Sequence, residues 1–177
     1  MKLKSTVQRA LIEGKKINLD IGCGPKPIPG FFGLDMQEIL DPDILCNVEK
    51  EPIPLPDNSV GAVYSQYLLE HVDNVGDVMQ EIWRITQPGA LTVIIVPHYA
   101  WEGQHKDYSH KTTFSEDSYK YWDCRELSLP HYGHTSKFEL VQLDLRYAPW
   151  ATEEQKTNAR IYRNVIENMT FIVRTVK

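Results

Sequence analysis

Three short stretches carry the residue types most able to do chemistry. Asp20-Ile-Gly22-Cys23-Gly24 closes the apolar run that starts at Ile17. Asp35, followed by Met36, closes a second run, Phe31-Phe-Gly-Leu-Asp35, and Asn47-Val48 follows a third, Asp43-Ile-Leu-Cys46. Glycines permit a sharp turn and let a ligand approach where a Cβ would stand in the way. A carboxylate at the end of a second strand can accept hydrogen bonds from both hydroxyls of a ribose. An amide side chain and a backbone N–H at the end of the third can read an adenine edge. This spacing predicts a nucleoside-containing cofactor held at strand ends.

The first loop decides which cofactor. A nicotinamide site asks for G-x-G-x-x-G, whose third glycine admits close packing of a following helix. Pro27 stands at that third position, and only residues 25–30 separate Gly24 from Phe31. The stretch is too short for a crossover helix, so no helix N-terminus is aimed at a pyrophosphate. S-adenosylmethionine, with adenine, ribose and a charged amino-acid tail but no phosphate, fits better. NAD-dependent oxidoreduction is correspondingly disfavoured.

The elements that must position these residues are legible as patterns. Val7, Ala10 and Leu11 give residues 4–13 helical spacing. Strands are predicted over 17–21, 31–35, 43–46, 60–65 and 90–97. A helix is predicted over 73–87, with Val75, Val78, Met79, Ile82 and Ile85 on one face, Asp73 as its cap and Pro88-Gly89 as its stop. From His98 to Lys137 the pattern dissolves into an aromatic- and histidine-rich stretch with a short helix over 115–122. A strand over 138–145 follows. Thr152-Glu-Glu-Gln155 reads as a capping box opening a helix to Asn168, with Tyr162, Val165, Ile166 and Met169 as its face. A last strand is predicted over 169–176. Together these predict one α/β domain over 1–177, an open, mostly parallel seven-stranded sheet of Rossmann-like type. Its first crossover helix is missing and its last strand antiparallel.

Composition narrows the function classes. A chain of 177 residues buries about 70% of its unfolded surface without staples. With 19 Lys and Arg against 24 Asp and Glu, the formal charge of −5 argues against general nucleic-acid binding, because phosphate affinity comes from clustered cations. No apolar run approaches the ~20 residues of a membrane span, and the first residues lack the apolar centre of a signal peptide. Cys23, Cys46 and Cys124 are odd in number and lack metal-type spacing. They suit a reducing, cytoplasmic setting, and Asn168-Met-Thr170 is not expected to be a glycosylation site there. His131 and His134 lack a spaced carboxylate or thiolate, so no metal site is expected.

Taken together, Ile17 to Asp35 resembles the glycine-rich opening of small, seven-stranded, class I S-adenosylmethionine-dependent methyltransferases of the type-11 kind. Ile53-Pro-Leu-Pro-Asp-Asn-Ser59 with Val63-Tyr-Ser-Gln-Tyr-Leu-Leu-Glu-His71 is similar to the family's next block. Glu81-Ile-Trp-Arg-Ile-Thr-Gln-Pro-Gly89 resembles the third, and Asp107-Tyr-Ser-His110-Lys-Thr-Thr-Phe-Ser115 a weaker signature after the fifth strand. The resemblance implies that Asp20, Gly22, Cys23 and Gly24 hold the methionine part of the cofactor. Asp35 would bind the ribose hydroxyls, Met36 after it would be a further cofactor-binding residue, Asn47 and Val48 would meet the adenine, and Gln66 with Tyr67 would lie beside the methyl group. Asn47 stands where many members have Asp, and Tyr67 where relatives often have His. Short members share the missing crossover helix, and some resemble enzymes of sugar and polysaccharide pathways.

Methyl transfer is an in-line displacement on a good leaving group, so alignment supplies much of the rate. The expected activity is transfer to an O or N atom of a small molecule, such as a sugar or glycan precursor, releasing S-adenosylhomocysteine. The acceptor side would be residues 98–137. His98, His110 and Tyr67 are the catalytic candidates, with His105 and His71 ranked after the first two as bases. Tyr64, Tyr67, Tyr99 and Trp101 can face the sulfonium with ring surfaces. Lys106 and Lys111 would seat an anionic acceptor. The segment Tyr119-Lys-Tyr-Trp122 reads as packing. A cofactor-binding module that is inactive alone and works with a partner subunit is the alternative; nothing in the residues decides the oligomeric state.

Overall fold

The computed structural model describes residues 2–126 and 133–177. Its strands are β1 (Lys2–Leu3), β2 (Ile17–Ile21), β3 (Phe32–Asp35), β4 (Ile44–Leu45), β5 (Val60–Gln66), β6 (Thr86–Pro97), β7 (Phe138–Tyr147) and β8 (Ile166–Thr175). Helices are α1 (Ser5–Ile12), α2 (Val75–Ile85), α3 (Glu102–Lys106) and α4 (Glu153–Thr157). One sheet orders the strands β1-β4-β3-β2-β5-β6-β8-β7. From β4 to β6 every pairing is parallel, whereas β8 runs antiparallel to both β6 and β7. The expected architecture stands, including the antiparallel last strand. One strand is added: β1 pairs antiparallel to β4 at the edge.

Strand order reverses between β2 and β5, the place where open α/β sheets leave a crevice beyond their carboxyl ends. No helix joins β2 to β3, so the connection of residues 22–31 stays a loop. That loop lies close on the sheet: a Cβ on Gly33 would stand 2.7 Å from the Cys23 sulfur and 2.9 Å from Pro27. All three cysteines are free thiols.

Residues facing one way along the registered rows form the core. Leu19, Val63, Thr92 and Val173 occupy one row and Ile21, Ser65, Ile94 and Phe171 the next. Helix α2 buries Val78, Met79, Ile82 and Ile85 in that core. Trp122 packs edge-on to Phe171 with centroids 6.1 Å apart, and Tyr119 lies 6.3 Å from the same ring, the packing role expected for that segment. The other face carries Tyr64, Val93 and Ile172 in one row, all only half-buried, with Leu91 41% exposed nearby.

Several boundaries shift for physical reasons. Helix α2 is capped by Asn74 rather than Asp73, its side chain accepting the Asp77 N–H. It ends at Ile85 because Thr86 already pairs with Val60 in the sheet. The segment near 115–122 makes only a 3-10 turn, Ser118–Tyr121. The capping box at Thr152 forms as read, yet α4 stops at Thr157. Asn164 takes a left-handed φ of 58°, and from Ile166 the chain joins β6 and β7. Cross-strand pairing on both sides outweighs the helical spacing of Ile166 and Met169. Among the described residues, no helix is long and apolar enough to cross a membrane.

Candidate active site

The strand-end loops build a pocket of about 560 Å³. Gly22 and Gly24 adopt φ of 73° and 57°, the left-handed region that favours glycine. A Cβ on Gly22 would also meet the Leu68 side chain at 3.2 Å. Asp35 is buried at the pocket wall and clamps both neighbours: its Oδ2 accepts the Gly24 N–H at 3.0 Å and its Oδ1 the Gln37 N–H at 2.9 Å. A carboxylate offers about four lone-pair sites, so room remains for two hydroxyl donors. Met36, Asn47 and Val48 line the same pocket. Asn47 Oδ1 accepts the Glu49 N–H at 3.0 Å, which leaves its NH₂ as the group free to contact a ligand.

Asp20, Cys23 and Gln66 do not line it. Asp20 is buried beneath the loop, where its Oδ2 accepts the Ile28 N–H at 2.9 Å and burial raises its pKa. It therefore fixes the loop whose Gly22 and Gly24 line the pocket. Burial, reinforced by Asp35, Asp20 and Asp43, pushes the Cys23 thiol up to about 12, so the sulfur is a neutral packing group. Strand alternation turns Gln66 toward Tyr64, whose hydroxyl donates to Gln66 Oε1 at 2.6 Å.

The two family-like blocks at 53–59 and 81–89 face each other. The Arg84 guanidinium donates to the carbonyls of Ile53 and Leu55 at 2.9 and 3.0 Å and pairs with Glu81 and Asp57. Glu81 in turn accepts the Ile53 N–H at 2.8 Å. These residues clasp the loop leading into β5 against α2, and neither Arg84 nor Glu81 lines the pocket.

A second cleft of about 540 Å³ adjoins the first, and Tyr67 and His71 line both. Tyr67 sits in a left-handed conformation, φ 55°, a strained setting for an aromatic residue. Its hydroxyl accepts from Asn168 Nδ2 at 3.0 Å. Behind it stand Glu70, His71 and His110. The turn Leu69–His71 and the loop before Thr112 are tied because the Glu70 carbonyl accepts the N–H groups of Lys111 and Thr112 at 2.7 and 3.1 Å. The His71 and His110 rings meet edge-on, 4.7 Å between centroids. Burial pushes the Glu70 carboxyl up to about 7.

Other candidates are placed differently. His98, the first-ranked base, is 2% exposed and lines neither cleft. Its Nδ1 accepts the Ala100 N–H and its Nε2 lies 3.3 Å from Glu116. Burial lowers its pKa against the pull of Glu116, so it reads as a packing residue. His105 contacts the Tyr99 carbonyl at 3.0 Å from an exposed position. Trp101 lines the second cleft and stacks on Trp150 at 5.7 Å. Lys106 pairs with Glu102 at 2.6 Å and Lys111 with Asp73 at 2.9 Å. Neither lysine offers an unpaired charge, and Glu70, Asp107 and Glu167 make the second cleft acidic. The anion seat expected from the lysines is thus not formed.

Glu70, Asn168 and Glu167 are not among the site residues expected from the sequence. Only Glu70 left a signal, as a carboxylate beside His71 at the end of a recognisable block. The expectation of no metal site rested on His131 and His134; His131 lies outside the described residues. The metal-type cluster among the described residues is Glu70, His71 and His110.

Comparison with known proteins fits this geometry. Residues 34–94 match the family model described as a methyltransferase domain. No curated protein matches the sequence. A chain from the complex of the Haloferax volcanii Trm112 methyltransferase activator with an assigned methyltransferase superposes with a TM-score of 0.62 at 16% identity, covering 97% of this chain and 89% of that one. A SAM-dependent methyltransferase from Archaeoglobus fulgidus gives 0.59 at 16% identity, with 97% and 92% coverage. An assigned methyltransferase from Bacillus halodurans gives 0.62 at 14% identity, with 97% coverage of both. The fold over nearly the whole length is that of class I, Rossmann-like methyltransferases, and the segment matched by the methyltransferase-domain model holds Asp35 and Asn47.

Proposed function

We propose that the protein is an S-adenosylmethionine-dependent methyltransferase acting on an O or N atom of a small polar molecule. The observation that carries this reading is the pair of adjoining clefts with Tyr67 and His71 as their common wall. S-adenosylmethionine fills the first, its ribose on Asp35 and its adenine beside Asn47 and Val48. The acceptor fills the second, its nucleophile presented to the methyl carbon past Tyr67. The nucleophile's lone pair forms the new bond as the carbon–sulfur bond breaks, and the sulfur keeps the electron pair. Carboxylates with an aromatic wall at Trp101 suit a hydroxyl-rich acceptor such as a sugar, because carboxylates accept from hydroxyls and a flat ring packs on a sugar face.

Calorimetric titration with S-adenosylmethionine and S-adenosylhomocysteine, and with NAD as control, tests the cofactor. Micromolar binding of the first two and none of NAD is expected; the absence of both removes the enzyme reading. A partner-dependent enzyme is the second reading, favoured by the half-buried sheet face at Tyr64, Val93 and Ile172. Parallel sheets are ordinarily covered on both faces. Cofactor binding without turnover over a panel of acceptors would select it.

A further inference from the structure

The Glu70–His71–His110 cluster has a feature that the cofactor pocket does not explain. Glu70 is 1% exposed, yet its Oε2 is buried with no hydrogen-bond partner among the described residues. A buried carboxylate oxygen without a donor is costly, and native folds rarely leave one. One ligand-type atom from each of Glu70, His71 and His110 lies within 4.8 Å of the other two.

The hydrogen bonds around the two rings settle which nitrogens are free. His110 Nδ1 is 2.9 Å from the Gln104 carbonyl, which can only accept, so Nδ1 carries a proton and, in the neutral ring that a metal requires, Nε2 keeps its lone pair. His71 Nδ1 is 3.0 Å from Ser109 Oγ, whose own proton goes to Asp107 Oδ1 at 2.6 Å. Ser109 therefore accepts from His71, and His71 Nε2 is also left with its lone pair. An imidazole whose other N–H is held by a carbonyl or hydroxyl is the usual state of a metal-ligating histidine.

We propose that Glu70, His71 and His110 bind one divalent transition-metal ion of the zinc class, with open coordination positions facing the second cleft. Two imidazoles and one carboxylate form the ligand set of catalytic zinc and of related first-row ions; magnesium and calcium prefer oxygen alone. The cluster lines the cleft, so the ion has a path in and an acceptor has access to it. Asp107, with Oδ2 3.9 Å from His110 Nε2, adds negative charge nearby. The cleft's arginine, Arg146, is already paired with Glu167 at 3.1 Å. In turnover the ion would take an acceptor hydroxyl at an open position and lower its pKa, so that its proton leaves to water and the oxygen attacks the methyl carbon. That use rests on the methyl-transfer reading above; binding of the ion does not.

The test uses the full chain stripped with chelator. Titration with Zn²⁺ is expected to show one site per chain, with Mg²⁺ at least a hundredfold weaker. Co²⁺ is expected to give the visible absorption of a site with nitrogen ligands. Glu70→Gln and His110→Ala should each weaken Zn²⁺ binding at least tenfold with the far-ultraviolet circular dichroism unchanged, while His134→Ala should not. Failure of the unmodified chain to bind Zn²⁺ stoichiometrically, or binding that survives Glu70→Gln, overturns the proposal. Should a variant misfold, the Co²⁺ spectrum of the unmodified chain decides alone. S-adenosylmethionine affinity measured on the same samples separates the two readings: its loss speaks to the cofactor, and loss of Zn²⁺ binding speaks to the cluster.

Discussion

The two clefts are neighbours that share a wall, but they are built in different ways. The first is made of strand ends and the turns directly after them, all within residues 21–72 apart from Ser109 and Lys111. Its critical contacts span few residues, as when Asp35 binds Gly24 and Gln37. The second draws on the turn at 67–71, the end of β6, the loop around Asp107–His110, and β7 and β8. Tyr67 and Asn168 touch across 101 positions of sequence. A site of short-range turns keeps its form wherever its motif occurs. A site of long-range contacts is specific to the chain that folds it.

The largest expected effect tests whether the clasp beside the first cleft is structural. Arg84→Ala removes bonds to two carbonyls and two carboxylates and strands Glu81, so chemical denaturation should show a loss of about 3 kcal/mol. S-adenosylmethionine affinity of the folded fraction should stay close to that of the parent. A large fall in affinity with stability intact would instead put Arg84 in the site.

Next comes the independence of the clefts. Asp35→Ala should weaken S-adenosylmethionine binding more than tenfold, about 1.4 kcal/mol, and leave Zn²⁺ affinity unchanged in the same calorimeter. Unchanged cofactor affinity would remove Asp35 from the ribose role. A parallel loss of both ligands would mean that the two clefts form one cooperative unit.

A smaller effect concerns the long-range side. Asp123 is buried where it accepts the Leu140 N–H and the Arg125 guanidinium beside it. Arg125 holds its carboxyl down at about 2, against about 3.9 in an unfolded chain. Because the folded value is the lower one, the stabilisation is complete above about pH 4 and is lost as pH falls toward 2. Arg125 is itself largely exposed, so about 1 kcal/mol is expected. Denaturation midpoints between pH 5 and 2 should show this slope in the parent and lose it in Asp123→Asn.

The smallest expected effect is a null one. His98→Gln should leave both S-adenosylmethionine and Zn²⁺ affinities within about twofold, because His98 lines neither cleft. A pH–rate profile, once an acceptor is found, should likewise be unmoved by this change. An altered profile would return His98 to the list of bases.

Much of this was readable from residues in order along the chain. The glycine loop, Asp35, Asn47 and the apolar runs between them act through turns and strand ends, and both are local properties of sequence. The missing crossover helix followed from residue count alone, since residues 25–30 cannot hold one. The capping box at Thr152 was equally local and forms as expected. What it opened was not local: the helix ends at Thr157, and from Ile166 the chain pairs with two strands instead. Periodicity cannot weigh ladder bonds to partners that lie far away in sequence. For the same reason, the ranking of histidines as bases put His98 first, although its ring turns into packing. His71 and His110 meet because the Glu70 carbonyl binds the chain at Lys111 and Thr112. Residue types and their order were sufficient to mark most of the residues that line the first cleft, because its bonds close within a short stretch of chain. Only the tertiary structure could decide the buried carboxylate and its two imidazoles, because their proximity depends on a loop closing back across the sheet's end.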